Sequence, residues 1–183
     1  MKRRCIWGIP FVLIDSYVND PDVCSVGLED EKGGYIATKH LLENGHRTIA
    51  FASPTVQPGG VLDLRLQGYR RALAEYGIPF DPPLVFMQEI SVQEGKRLGH
   101  QLSQRPEITG IFASADILAA GIMSGLDECG LSVPRDKSIV GFDDHYLCLG
   151  YDSCTASKRA HRGKKVILPV RLVERNSVRR IKP

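Results

Sequence analysis

Ser138-Ile139-Val140-Gly141-Phe142-Asp143-Asp144 is the stretch whose reading decides the fold of this chain. The short apolar pair Ile139-Val140 runs through a glycine and an aromatic into two adjacent carboxylates. Buried parallel strands read as short apolar runs, and ligands of open α/β sheets bind beyond the carboxyl ends of such strands. Asp143 is therefore expected at the lip of a cleft. From this stretch alone, a carboxylate that merely opens a turn or caps a helix is an equal alternative.

Working back towards the amino terminus, Gly110-Ile111-Phe112-Ala113 predicts a strand followed at once by Ser114-Ala115-Asp116. Asp116 is expected to N-cap a helix that carries Leu118, Ile122 and Leu126 and stops at Gly130. Before that, Leu84 to Met87 predicts a strand, and Ser91-Val92-Gln93-Glu94 reads as a capping box that opens a helix through Leu98 and Leu102. Leu62, Leu66, Tyr69, Leu73 and Tyr76 step by four, three, four, three, the helical period, and Gly77 ends that segment. Thr48 to Ala52 predicts a strand that leads into Ser53-Pro54. A helix is expected from Asp30 to about Asn44. Its Gly33-Gly34 pair costs helix propensity and makes sense if this turn packs close to another backbone. Phe11 to Ile14 predicts one more strand, ending at Asp15.

Helices and strands thus alternate from Asp30 to Asp144, which predicts an α/β fold with a parallel sheet flanked by helices in three layers. Polar groups recur just after the strands: Asp15, Ser53, Ser114 with Asp116, and Asp143. Parallel strands would set them on one rim, which Arg65 could join from the neighbouring helix. Carboxylates and a guanidinium fork suit a small, neutral, hydroxyl-rich ligand, because together they donate and accept several directed hydrogen bonds. Taken singly, each is as well explained as a cap or a surface ion pair.

Composition sets the outer limits. The 183 residues are 43% hydrophobic and 25% charged, with a net charge of +3, ordinary values for a globular protein. No apolar run approaches the roughly 20 residues of a membrane span. No secretory leader is legible at the start, so a cytoplasmic location is expected. The five cysteines are scattered and read as free, mostly buried thiols. The five histidines have no metal-ligand spacing and are expected to be structural; His46, at a helix end, suits a cation or a capping donor. No cofactor or metal is expected, and the phosphate-binding, nucleophile-elbow and zinc-protease motifs of common enzymes are absent, so no catalytic role is expected. From Thr155 onward ten Lys/Arg stand against the single acid Glu174, and that stretch is expected to be a solvated or poorly ordered tail.

Three of these segments carry a family resemblance. Gly45-His46-Arg47-Thr48-Ile49-Ala50-Phe51, Arg65-Leu66-Gln67-Gly68-Tyr69-Arg70-Arg71-Ala72-Leu73 and Ile139 to Asp144 resemble, in order and spacing, the LacI/GalR family of bacterial transcription regulators. Ile9 to Asp15 and Leu168 to Ser177 are similar to further segments of its effector-binding core. The resemblance implies a periplasmic-binding-protein-like fold and a homodimeric repressor that senses a sugar-like or nucleobase-like effector. It places Arg65 and Asp143 at the effector, Asp15 on the opposing lobe, and Asp116 as the aspartate of an Asn-Asp pair whose asparagine is Ala115 here. Ile90 stands where some members have an aromatic that stacks on the ligand.

The family's helix-turn-helix, its hinge and the first half of its N-terminal lobe have no counterpart before Ile9, so operator DNA would be reached only through a missing N-terminal domain. The expected organisation is 1–27 as a remnant of the N-terminal lobe and 28–150 as the C-terminal effector-binding lobe. Residues 151–165 would be an irregular basic linker, 166–178 a returning segment of the same lobe, and 179–183 a basic tail. Two other readings stay open: a periplasmic-type sugar-binding transport protein, and a truncated remnant without function.

Overall fold

The parallel sheet follows from the alternation of apolar runs. The computed structural model of the protein describes residues 12–15, 23–144, 155–158 and 165–181. Its central sheet is formed by β3 (Ile49–Ser53), β4 (Val85–Met87), β5 (Gly110–Ala113) and β6 (Ser138–Val140), all parallel in the order β4-β3-β5-β6. Successive residues of a strand face opposite sides of a sheet, and both sides here are apolar. Ile49, Phe51, Phe112 and Val140 pack into one core with α1 (Asp30–Glu43) and α2 (Val61–Glu75). Ala50, Ala52, Ile111, Ala113 and Ile139 pack into a second core with α3 (Val92–Ser103) and α4 (Asp116–Glu128). The three layers are those expected.

Local signals explain most of the boundaries. Ser91 N-caps α3, its hydroxyl accepting from the Glu94 N–H at 3.0 Å. Leu66, Tyr69 and Leu73 of the periodic stripe are buried, and Gly77 follows α2 in the left-handed region at φ 67°. Asp116 is not the N-cap of α4 but its first residue, because Ala115 takes the extended cap conformation. The Gly33-Gly34 pair does mark a close approach: a Cβ on Gly34 would lie 2.1 Å from the Arg65 carbonyl oxygen of α2.

A smaller parallel sheet, in the order β1-β2-β8, joins β1 (Val12–Ile14), β2 (Cys24–Leu28) and β8 (Lys165–Leu168). Residues 166–168 therefore belong to this sheet. Pro169, which cannot donate to a ladder, separates β8 from β9 (Val170–Val173), which pairs antiparallel with β7 (Thr155–Lys158) and packs against α1. Two of the passages between the smaller sheet and the larger lobe are described, after Leu28 and after Leu168. The passages are tied by Glu29 N–H donating to the Leu168 carbonyl at 3.0 Å and by the Glu29 carboxylate accepting from Val170 N–H at 3.3 Å.

The described part of the basic stretch is not a solvated tail at its end. Residues 177–181 run along the outer edge of β6: Ile139 N–H donates to Ser177 O at 3.0 Å, the Ser177 hydroxyl to Ile139 O at 2.7 Å, and Arg179 N–H to Ser138 Oγ at 3.0 Å. Ile181 N–H then reaches the Asn44 carbonyl at 2.7 Å. Of the cysteines, Cys24 is half-buried and Cys129 exposed, contrary to the expectation of burial, and both are free. Cys5, Cys148 and Cys154 lie outside the described residues, as do His145 and His161.

Candidate functional site

The connections from β3 and β5, which are neighbours, leave on opposite faces: β3 leads to α2 in the first core, β5 to α4 in the second. Such a switch point opens a crevice beyond the carboxyl ends of the two strands, where ligands of doubly wound sheets bind. Ser53 ends β3 and Ser114 follows β5. They stand side by side, because Ser114 N–H donates to the Ala52 carbonyl at 2.8 Å. Both hydroxyls are fully buried and have no hydrogen-bond partner among the described residues. Buried hydroxyls are normally bonded, and an orphan costs free energy.

Arg65 lies in the second turn of α2 and points back over this rim. It is only 4% exposed; its Nε donates to the Asp30 carboxylate at 2.8 Å and its Nη1 to the Ser114 carbonyl at 2.6 Å. The guanidinium also stacks on Phe142, with its Cζ 3.6 Å from the ring centroid. Charge-assisted bonds and stacking fix its orientation rather than leave it mobile.

Asp116 is buried at the start of α4, with its N–H donating to the Phe142 carbonyl at 2.8 Å. Its carboxylate packs over Gly141, where a Cβ would lie 2.1 Å from Oδ1. Asp143 and Asp144 follow Phe142, both half-buried and both at positive φ, 106° and 56°. Two consecutive non-glycine residues in that region are uncommon and cluster at functional sites. Asp144 is paired with Arg175 at 2.6 Å.

Five of the six expected residues, Ser53, Arg65, Ser114, Asp116 and Asp143, therefore gather at the carboxyl ends of β3, β5 and β6. Asp15 stands apart, exposed at the end of β1 in the smaller sheet, with φ 55° and its N–H donating to the Val26 carbonyl at 2.8 Å. Sequence reasoning missed Asp30, Phe142 and Arg175 as partners in this constellation. Ile90 is exposed beyond β4 with Met87 and Val92, forming an apolar edge beside Ser53, whose carbonyl accepts from Gln88 N–H at 2.8 Å.

His46 is structural, as expected, and of the two roles that suited its position it is not the cation. It is fully buried between Thr109 Oγ1, 3.0 Å from Nδ1, and the Arg179 carbonyl, 3.2 Å from Nε2. Burial pushes its pKa down to about 4.

This is the architecture of a doubly wound α/β lobe with a crevice at its switch point and a smaller parallel sheet attached to it. Residues 38–157 match the family model of the periplasmic binding protein-like domain. The chain is 34% identical over 173 residues to the HTH-type transcriptional regulator DegA of Bacillus subtilis, with 83% of this chain and 51% of that protein covered. It thus spans about half the length of that relative. Among solved structures, a LacI family transcriptional regulator from Enterococcus faecium with bound ribose superposes with a TM-score of 0.85 at 30% identity, over 96% of this chain and 72% of that one. A second, from Enterococcus faecalis with bound ribose, gives 0.83 at 27% identity, over 96% and 71%. The chain belongs to the LacI family of transcription regulators, of which it carries the periplasmic-binding-protein-like effector domain.

Proposed function

We propose that this chain is the effector-sensing part of a bacterial DNA-binding repressor, and that a small sugar-like ligand binds at the rim formed by Ser53, Arg65, Ser114, Asp116 and Asp143. The observation that carries the reading is the pair of buried, unpartnered hydroxyls, Ser53 and Ser114, at the switch point of the sheet. A polyol can satisfy both, with Arg65 and the rim carboxylates supplying directed bonds to its other hydroxyls. The ribose-bound relatives favour a sugar over a nucleobase.

Asp15 would contribute from the smaller sheet as it closes on the larger one about the two passages at Glu29 and Pro169. In the whole repressor, a homodimer in the cytoplasm, that closure would bias the grip on operator DNA, by the differential affinity of the ligand for the two states. The reading is not catalytic; DegA and the two Enterococcus proteins are named as regulators. Among the described residues no helix is long and apolar enough to cross a membrane.

A thermal-shift screen of the chain against neutral pentoses and hexoses tests the proposal. A ligand at 100 times its Kd stabilises by about 2.7 kcal/mol. A rise in melting temperature that disappears in Ser114→Val supports it, and no rise with any sugar refutes it.

A further inference from the structure

Asp143, the rim carboxylate beyond β6, is set between two neighbours that are each held in place. On its amino side Phe142 is fully buried. The Phe142 ring carries the Arg65 guanidinium, with Cζ 3.6 Å from the centroid, and the Phe142 carbonyl accepts from the Asp116 N–H at 2.8 Å. On its carboxyl side Asp144 is bonded to Arg175 at 2.6 Å, the two side chains being 26% and 17% exposed. Water is largely kept from that pair, so the bond constrains more than a bridge on the open surface does. Asp144 and Arg175 each have a further interaction as well, so the bridge belongs to a network.

The loop needs such support. Asp143 and Asp144 both have positive φ, 106° and 56°, and only glycine takes such angles without penalty. Other residues persist there when their surroundings over-determine them. Arg175 comes from the returning segment, two residues before Ser177. The Ser177 hydroxyl donates to the Ile139 carbonyl at 2.7 Å, and the Ser177 carbonyl accepts from the Ile139 N–H at 3.0 Å. One short segment thus grips β6 and the loop that leaves it.

We propose that Arg175 is a positioning residue of the candidate effector site: through Asp144 it holds the loop backbone in the left-handed region and so fixes where the Asp143 carboxylate stands. This inference rests on the effector-sensing reading and adds to it a residue that acts on the ligand through another. A loop released from this form must be returned to it on binding, which lowers the apparent affinity by the fraction of molecules that keep it.

The test is titration calorimetry on the whole chain with D-ribose, D-glucose and D-galactose, at a temperature where each variant is folded. It compares the wild type with Arg175→Met, Asp144→Ala and the double variant Arg175→Met/Asp144→Gly. Arg175→Met and Asp144→Ala should each weaken binding of the sugar that the wild type takes by about tenfold, the factor expected when about a tenth of the molecules keep the competent loop. The glycine of the double variant takes positive φ freely and should restore most of the lost affinity. Neither a direct contact from Arg175 to the ligand nor a general contribution to stability would give that recovery. Asp144→Ala keeps the test decisive if Arg175→Met fails to fold. Wild-type affinity in Arg175→Met or in Asp144→Ala, or a double variant as weak as Arg175→Met, overturns the positioning role and leaves effector sensing standing. Binding of no sugar by the wild type refutes both readings.

Discussion

Arg65 shows what a residue-level reading can and cannot see. Its place in the helix motif from Arg65 to Leu73 marked it as a site residue, but nothing near it in sequence pointed to Asp30, 35 positions earlier. Asp30 read as an ordinary helix opener, and only the packing of α1 on α2 brings the two together. Both side chains are almost fully buried, so removing one leaves a buried charge without its ion-pair partner. Arg65→Leu is expected to cost about 3–5 kcal/mol, because the Asp30 carboxylate loses the guanidinium 2.8 Å away; urea denaturation reads this as a fall in midpoint. Asp30→Leu combined with Arg65→Leu should recover part of that loss.

His46 makes a second prediction at this scale. Its folded pKa of about 4 lies below the ordinary histidine value of about 6.5, so the unfolded chain takes up a proton first as pH falls. Its contribution to stability is intact above pH 6.5 and is lost progressively down to about pH 4, at a limit of about 1.4 kcal/mol per pH unit. In His46→Gln this component of the pH dependence should vanish, which denaturation at pH 7.5 and pH 5 would show.

At the scale of elements, the helix pairs are set by glycines whose meaning was only half legible. The Gly33-Gly34 pair stood out because two adjacent glycines in a helix need a reason. The matching pattern across α3 and α4 did not, since Gly95, Gly99, Gly121 and Gly125 are isolated residues in good helical stretches. In the structure they face each other. A Cβ on Gly125 would lie 2.1 Å from the Lys96 carbonyl, and one on Gly99 2.5 Å from the Ile122 carbonyl. Gly125→Ala therefore pits a helix-propensity gain of about 1 kcal/mol against a backbone collision that only separation of the helices relieves. The collision should win, with a net loss of about 1–3 kcal/mol and a lower melting temperature. The strands of the central sheet were legible to within a residue because buried apolar runs leave little choice, whereas β7, polar and basic, lies in what was expected to be the irregular linker 151–165. The partition of the run at Pro169 was not, because which sheet a strand joins is a tertiary fact.

At the scale of the whole molecule, the family and the three layers were readable from ordered motifs and alternation, while the strand-end pattern that set Asp15 on the same rim misled, because β1 belongs to the smaller sheet. The larger lobe has two cores of its own and a sheet buried on both faces. The smaller sheet leaves Val12 56% and Ile14 75% exposed. Stability should therefore reside in the larger lobe, and hydrogen exchange is expected to find β3, β5 and β6 protected and β1 open.

The docked segment 177–181 bears on how the protein is made. It supplies the outer neighbour of β6 and the lid over the end of α1, yet it is translated after every strand of the sheet it completes. Chains are synthesised from the amino terminus, and β6 is complete before residues 177–181 are made. Until then β6 presents an unpaired edge, the kind of surface on which strands of different chains pair wrongly. Nascent chains stalled at Asn176 should thus engage chaperones and stay protease-sensitive, and those extended by a linker beyond Pro183 should not.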